Sequence, residues 1–150
     1  MSYTLERLTR DFFIDTCIFI YAAGADHPLK EPCLEILRQV AEGKVRAVID
    51  VEVVQEILYR HQRIGQVEKG IRIARDAIAI AHVIYSVEEE DVQFCLRMLR
   101  RYAKKGVKVR DLIHVAVMNR MGISDIISAD KDFDEVEGIR RHDPLEWVRG

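Results

Sequence analysis

The sequence predicts an α/β fold: three layers, α/β/α, around a short, mainly parallel sheet of four to five strands. Two observations predict it. Apolar runs of strand length alternate along the chain with longer stretches whose apolar residues recur at helical spacing. Such alternation implies parallel strands with helices on both faces. Gly24, Gly43, Gly65, Gly106 and Gly122 fall between the runs, where the chain must turn. No repeat, linker or low-complexity segment interrupts the pattern, so residues 1–150 are expected to form one domain.

The first run, FFIDTCIFIYA at residues 12–22, is apolar at nearly every position and reads as a buried strand over 12–21. Gly24 to Pro28 breaks it. Leu29 to Glu42 is helical, with Leu34, Leu37, Val40 and Ala41 on one face, and Gly43 ends it. RAVID, residues 46–50, is a second strand. Val51 to Arg63 is helical, with Val54, Ile57, Leu58 and His61 along one side, and Gly65 breaks it. Val67, Ile71, Ala74, Ala77, Ile78 and Ala81 mark the next helix, and HVIYSV at 82–87 a third strand. Glu88 to Asp91 then opens a helix with acids, where the helix dipole favours negative charge. Its predicted inward residues are Cys95, Leu96, Leu99 and Tyr102, and it ends near Gly106. Asp111 begins the most apolar helix, which stops at Gly122. DIIS at 125–128 is a fourth strand, and Arg140-Arg141 start a short fifth that Pro144 ends.

Composition narrows the function classes. Hydrophobic residues make up 49% of the chain, enough for a real core. The 23 basic and 25 acidic residues nearly cancel, to a net charge of −2. Net charge therefore singles out no partner, and any electrostatic preference lies in how the charges are arranged. Cys17, Cys33 and Cys95 are far apart and form no Cys-x-x-Cys pair. They read as small core hydrophobes of a reducing compartment, not as a zinc site. The N-terminal MSYTLERLTR lacks the apolar run of a signal peptide, and nothing approaches the ~20 apolar residues of a membrane span. A soluble, cytoplasmic protein is the expectation.

In parallel sheets, ligands bind outside the carboxyl ends of the strands, where the strand order switches. Four acids meet that rule. Asp15 lies in the first strand, toward its C-terminal half. Glu56 lies about one and a half turns into the helix fed by the second strand, Asp111 at or near the start of its helix, and Asp130 directly after the fourth strand. Each alone has a plainer reading: a cap for Asp15 and Asp111, a solvated helix acid for Glu56, with Glu52 its rival, and a turn residue for Asp130. Together they point to one crevice. Clustered carboxylates repel one another, and a divalent cation removes the repulsion. An all-oxygen donor set selects Mg²⁺ or Mn²⁺.

These segments resemble the PIN domain nuclease family, most closely the VapC-type toxin ribonucleases, over roughly residues 11–147. FIDTCIFIY is similar to the family's first acid motif. VEVVQEILYR is similar to the second and selects Glu56 over Glu52. VRDLIHVAVMNRMGI and IISADKDFDEVEGIRRHDP are similar to the third and fourth. The resemblance implies a Mg²⁺- or Mn²⁺-dependent endoribonuclease with Asp15, Glu56, Asp111 and Asp130 as catalytic and metal-site acids. Asp132 matches a second acid of the last loop, Ser128 a small hydroxyl residue that helps arrange the site, and Thr16 stands beside the first acid. Relatives commonly carry Ser or Asn where this chain has Cys17, and a thiol is a poor partner for a hard cation. The resemblance also implies hydrolysis to a 5′-phosphate and a 3′-hydroxyl, a toxin's role, an inhibiting antitoxin and a homodimer. A non-catalytic PIN-like module that holds RNA or protein, and a housekeeping RNA-processing nuclease, are the alternatives.

An acidic crevice repels RNA, so a basic surface must attract it. Residues 92–110 contain no acid but carry Arg97, Arg100, Arg101, Lys104, Lys105, Lys108 and Arg110. The stripe ends beside Asp111 and reads as a phosphate-binding rim. Arg60, Arg63 and Arg120 are weaker candidates. The five histidines share no ligand spacing; His114, one turn after Asp111, could touch the site, and its plainer reading is a satisfied core or boundary residue. Asp-x-Asp, as in haloacid-dehalogenase-type phosphatases, is ruled out by Cys17, and no G-x-S-x-G, P-loop or dinucleotide motif occurs.

Overall fold

A computed structural model describes residue 7 and residues 9–150; most of the N-terminal segment MSYTLERLTR lies outside them. The elements in order are β1 (Asp11–Ile14), α1 (Thr16–Ala23), α2 (Lys30–Ala41), β2 (Arg46–Asp50), α3 (Val51–Arg63), α4 (Val67–Ile80), β3 (Val83–Tyr85), α5 (Glu89–Ala103), α6 (Val109–Arg120), β4 (Asp125–Ile127), a 3₁₀ turn (Lys131–Glu135), β5 (Arg140–His142) and α7 (Pro144–Arg149). All five strands are parallel, in the order β3-β2-β1-β4-β5. The chain steps outward from β1 to β3, then returns to place β4 on the other side of β1. Helices α1–α4 pack among themselves and α5 packs on α6, as expected when right-handed crossovers of a parallel sheet place the two groups on opposite faces. The strand order switches beside β1, so the crevice opens at the C-terminal ends of β1 and β4.

The central strands are short and apolar because both faces are covered. Phe12, Phe13, Ile14, Val48, Ile49, Ile126 and Ile127 are buried, and Phe13 sits in register between Val48 and Ile126. Helix α6 is the most enclosed helix, with Leu112, His114, Val115, Val117 and Met118 buried. It ends where Gly122 takes φ +72°, a left-handed turn that suits glycine. None of the described helices is long and apolar enough to cross a membrane.

The predicted strand over 12–21 is corrected: it ends at Ile14, and Thr16–Ala23 is helical. Apolar residues all round fit a buried helix as well as a buried strand, so periodicity did not separate them. Asp15 is the junction. Its backbone N–H donates to the Ile127 carbonyl (3.1 Å), completing the sheet, while its own carbonyl accepts from Ile18 (3.1 Å), starting α1. Its Oδ1 accepts from the Thr16 N–H (2.8 Å). Three smaller corrections follow. Leu96, predicted to face inward, is 70% exposed, because Cys95 and Tyr102 define the buried line of α5. Leu58, grouped by spacing with Val54, Ile57 and His61 along one side of α3, is exposed, and the buried line is Val53, Ile57 and His61. Asp111 lies in the first turn of α6, which is capped at Lys108.

Helices α3 and α4 pack closely through Gly70. A Cβ at that position would lie 2.5 Å from the Cβ of His61, whose Nδ1 pairs with the Ile57 carbonyl (2.7 Å). Alanine gains ~1 kcal/mol of helix propensity, but overpacking costs about 1–3 kcal/mol, and a Cβ fixed to the backbone cannot swing aside. Gly70→Ala should therefore lower the thermal midpoint by several degrees. A midpoint equal to wild type would show that the two helices separate freely.

Candidate active site

The fold brings four of the predicted acids to one crevice of about 730 Å³, whose lining includes Asp15, Glu56, Asp111 and Asp130. They arrive from four separate elements. Asp15 caps α1 at the end of β1, Glu56 projects from the second turn of α3, Asp111 from the first turn of α6, and Asp130 from the turn after β4. Asp132 is not part of the lining. Its carboxylate lies toward the α5–α6 loop, near Gly106 and Lys108. Burial, followed by the charge of Asp130, raises it above the ordinary carboxylate range.

Asp15 is tightly held. Ser128 Oγ donates to its Oδ2 (2.6 Å) and in turn accepts from the Asp130 N–H (3.0 Å). Ser128 thus ties the first acid to the fourth. The Cys17 thiol lies 3.5 Å from the same Asp15 oxygen and 3.7 Å from Ser128 Oγ. Burial, and then the charge of Asp15, push that thiol well up, so it stays neutral and serves as a donor. Cys17 does from its position what a hydroxyl or amide would do there. Thr16 supplies its backbone N–H to Asp15, and its buried side chain lies toward Glu56, whose charged form it favours.

The acids do not share one ionisation behaviour. Burial raises Asp15, although the His114 charge and the Ser128 hydrogen bond oppose it. Asp111 is pushed up to about 7, first by burial and then by Asp15, with Asp130 and Glu56 adding to the shift. Its Oδ2 is buried and makes no hydrogen bond. Burial also acts to raise Glu56, but the hydrogen bond and charge of His114, with Thr16 and Arg110 adding to them, hold Glu56 below its ordinary value.

The residue that causes this was not singled out by the sequence motifs. His114 is fully buried, with Nδ1 2.8 Å from Asp50 Oδ2 and Nε2 3.1 Å from Glu56 Oε1. Burial alone would discharge the ring, but the two carboxylates overcome it and hold the imidazole protonated. Asp50 is also fully buried, and its Oδ1 caps α3 at the Val53 N–H (3.0 Å). His114 is thus both a satisfied core residue and a neighbour of the site. Asp50 carried a signal: it ends a predicted strand and opens a helix, as Asp15 does. His114 can be grouped with Asp15 and Asp111, since one atom from each lies within 4.8 Å of the others. An imidazolium with both nitrogens engaged has no lone pair for a metal, so the oxygens of the acids are the donors available.

The basic run mostly lies elsewhere. Of its members only Arg110 lines the crevice. Arg97, Arg100, Lys104 and Lys105 are exposed on α5 and its end, and Arg101 pairs with Glu137 (3.0 Å). Arg120 is held by Asp91 and by the Ser86 carbonyl, near the other end of α6 from Asp111. Arg60 and Arg63, the weaker candidates, line the crevice together with Tyr21 and Tyr59.

Comparison with known proteins agrees with this geometry. The PIN domain model matches residues 12–139. Ribonuclease VapC13 of Mycobacterium tuberculosis is 36% identical over 129 residues, covering 85% of this chain and 96% of that protein. In structure, the VapC20 toxin of M. tuberculosis, described as cleaving the sarcin-ricin loop, superposes with a TM-score of 0.68 at 19% identity, covering 83% of this chain and 93% of that one. VapBC2 of Rickettsia felis, bound to a promoter DNA fragment, gives 0.66 at 15% identity, covering 89% and 98%. With the family model spanning most of the chain and a relative above one-third identity along nearly its whole length, this chain belongs to the PIN domain family.

Proposed function

We propose that this chain is a metal-dependent endoribonuclease that hydrolyses RNA phosphodiesters, and that it is the toxin of a toxin–antitoxin pair acting in the cytoplasm. One observation carries the reading: four acids from four elements meet in one crevice, and the buried Oδ2 of Asp111 has no hydrogen-bond partner there. A buried orphan acceptor beside a second buried carboxylate suits a hard cation, which satisfies the oxygen and cancels the repulsion. The donors are all oxygen, which favours Mg²⁺ or Mn²⁺. Asp15 and Asp111 would hold it, with Glu56 and Asp130 completing the shell or orienting water and Asp132 behind Asp130. Bound there, the ion supplies a Lewis acid that polarises the phosphate and acidifies water.

The rest falls to the chain's own side chains. Ser128 and Cys17 keep Asp15 aimed into the crevice, and Asp50 acts through His114 to hold Glu56 ionised. Arg110 offers a phosphate contact beside Glu56, and Arg97, Arg100, Arg101, Lys104 and Lys105 are the candidates for more distant phosphates. Water adds to phosphorus in line as the bond to the 3′-oxygen breaks. The leaving oxygen takes up a proton, leaving a 3′-hydroxyl and a 5′-phosphate. The names of the relatives support the ribonuclease reading, and the toxin–antitoxin complexes among the structural neighbours support an antitoxin partner. A homodimer is proposed as well; exposed Leu58, Ile64, Val67 and Ile78 are apolar surface for it.

Purified protein should cut labelled RNA with Mg²⁺ or Mn²⁺, stop in EDTA and recover when the ion is restored. Asp15→Asn should fold yet cut at least a hundredfold more slowly, on the scale of removing one preorganised charge from a phosphoryl-transfer site. Cleavage that persists in EDTA, or an Asp15→Asn protein as active as wild type, would refute the reading.

A further inference from the structure

One donor in the crevice differs in kind from the acids around it. Cys17 lies in the first turn of α1, lines the crevice and is partly exposed there, whereas Cys33 and Cys95 are buried in the core. Its Sγ stands 3.5 Å from Asp15 Oδ2. That spacing fits a weak S–H···O hydrogen bond, and it is also the edge of a tetrahedral metal site. Bonds of ~2.3 Å to sulfur and ~2.0–2.2 Å to a carboxylate oxygen, at the tetrahedral angle, set the two donors about 3.5–3.7 Å apart. As a hydrogen-bond donor the thiol does what a hydroxyl does; as a ligand it does not.

A second, independent observation points to an ion at the same place. Asp111 is only 5% exposed, lines the same crevice, and its Oδ2 is buried with no hydrogen-bond partner. A desolvated acceptor without a partner is a cost that a cation removes. One carboxylate oxygen of Asp15 and one of Asp111 lie within 4.8 Å of each other, so a single ion can meet both acids. Ser128 Oγ, which donates to Asp15 Oδ2 and lies 3.7 Å from the sulfur, orients the shared oxygen. Oxygen donors alone suit Mg²⁺ or Mn²⁺, but a sulfur donor shifts the preference toward softer ions, and affinities rise from Mn²⁺ to Zn²⁺ on most donor sets.

We propose that Cys17, Asp15 and Asp111 form a site for a thiophilic divalent cation of the Zn²⁺ class, which displaces the hard ion and holds the nuclease inactive. On binding, the Sγ–H bond breaks, the sulfur gives its electron pair to the metal, and the proton passes to solvent. A thiolate and two carboxylates more than cancel the charge of the ion, so it attracts phosphate poorly. A four-coordinate ion with three protein donors also keeps one open position, where a phosphate oxygen and an attacking water need two. The cation site stands on this geometry alone, and its inhibitory effect rests on the ribonuclease reading.

The test is a Cd²⁺ titration of the metal-free protein, followed in the ultraviolet by the charge-transfer band of a sulfur–cadmium bond. Wild type should develop the band and saturate near one equivalent. Cys17→Ser should abolish the band and weaken Cd²⁺ binding about tenfold or more, yet bind Mn²⁺ within about twofold of wild type, because a hydroxyl is a poor ligand for a soft ion alone. Serine fits the space of the thiol and can keep both of its contacts, so the variant is expected to fold. Asp111→Asn keeps the thiol and should still weaken Cd²⁺ binding, and excess Mn²⁺ should suppress the band in wild type. Zn²⁺ in slight excess over protein should stop RNA cleavage by wild type in Mg²⁺, while Cys17→Ser, measured against its own Mg²⁺ rate, should tolerate about tenfold more. No band in wild type, a band that survives in Cys17→Ser or ignores Mn²⁺, or an unchanged Cd²⁺ affinity in Asp111→Asn overturns the site. Undiminished cleavage with Zn²⁺ bound overturns the inhibition. If the band behaves as expected but RNA is never cut with Mg²⁺, the cation site stands and the ribonuclease reading fails; if RNA is cut and the band is absent, the reverse holds.

Discussion

Asp111→Asn should cost at least a hundredfold in cleavage and, without metal, make the protein more stable at pH 8. The two effects share one cause. The folded protein holds the Asp111 carboxyl up to about 7, against an ordinary value of 3.8, because burial and the neighbouring acids oppose its charge. Between those values the folded state keeps a proton that the unfolded chain has released, so stability falls as pH rises through the window. Above pH 7 the full penalty applies. It amounts to at most about 4 kcal/mol, from ~1.4 kcal/mol per pH unit, and relaxation of the crevice reduces it. Asp15 is raised in the same sense, and His114, raised from 6.5, loses its contribution as pH climbs above that value. Wild type in EDTA should therefore melt at a lower temperature at pH 8 than at pH 5, and Asp111→Asn should flatten that slope. At ~2–4 °C per kcal/mol for a chain of this size, the gap at pH 8 should exceed about 5 °C. Parallel melting curves for the two proteins from pH 5 to 8 would remove the claim that Asp111 is held against its charge.

Asp50→Ala should be among the most destabilising single changes in the chain. It leaves the His114 imidazolium without its closer carboxylate in a site with no solvent access, and it removes the α3 cap at Val53. Breaking a buried pair from one side costs about 3–5 kcal/mol and losing a cap about 1 kcal/mol, so the midpoint should fall by about 10 °C or more. A functional consequence follows even where the variant folds. His114 moves toward its neutral form, and Glu56 loses the charge that holds it low. Asp50→Asn keeps an oxygen for the cap and should retain more stability, yet it still removes one of the two charges that hold the ring protonated. Nitrogen chemical shifts of His114 would report this directly. A neutral ring in wild type, or a midpoint for Asp50→Ala within a degree or two of wild type, contradicts the network.

Much of the fold was legible because sequence period and secondary structure share a cause. RAVID and the helix after it have the observed bounds, and the Asp111 helix differs by only two residues at its start. The failures fall where period carries no information. Residues 16–21 are apolar on every side, and only the hydrogen bonds at Asp15 distinguish a strand that ends from one that continues. Leu96 fits an inward face by spacing, but the helix is rotated so that Cys95 and Tyr102 pack instead.

For the site, the residues of the chain alone determined which acids follow the ends of parallel strands, and hence that carboxylates gather at one edge of the sheet. Only the tertiary structure decided how they are balanced. His114 lies 64 positions from Asp50 and 58 from Glu56, and nothing local links them. Its charge arises from burial between two carboxylates brought in by separate elements, an electrostatic property of the assembled interior that no short stretch of sequence contains. The same holds for Arg60 and Arg63. As residues they differ little from the arginines of α5, and their place in the crevice comes from how α3 packs over the switch point of the sheet.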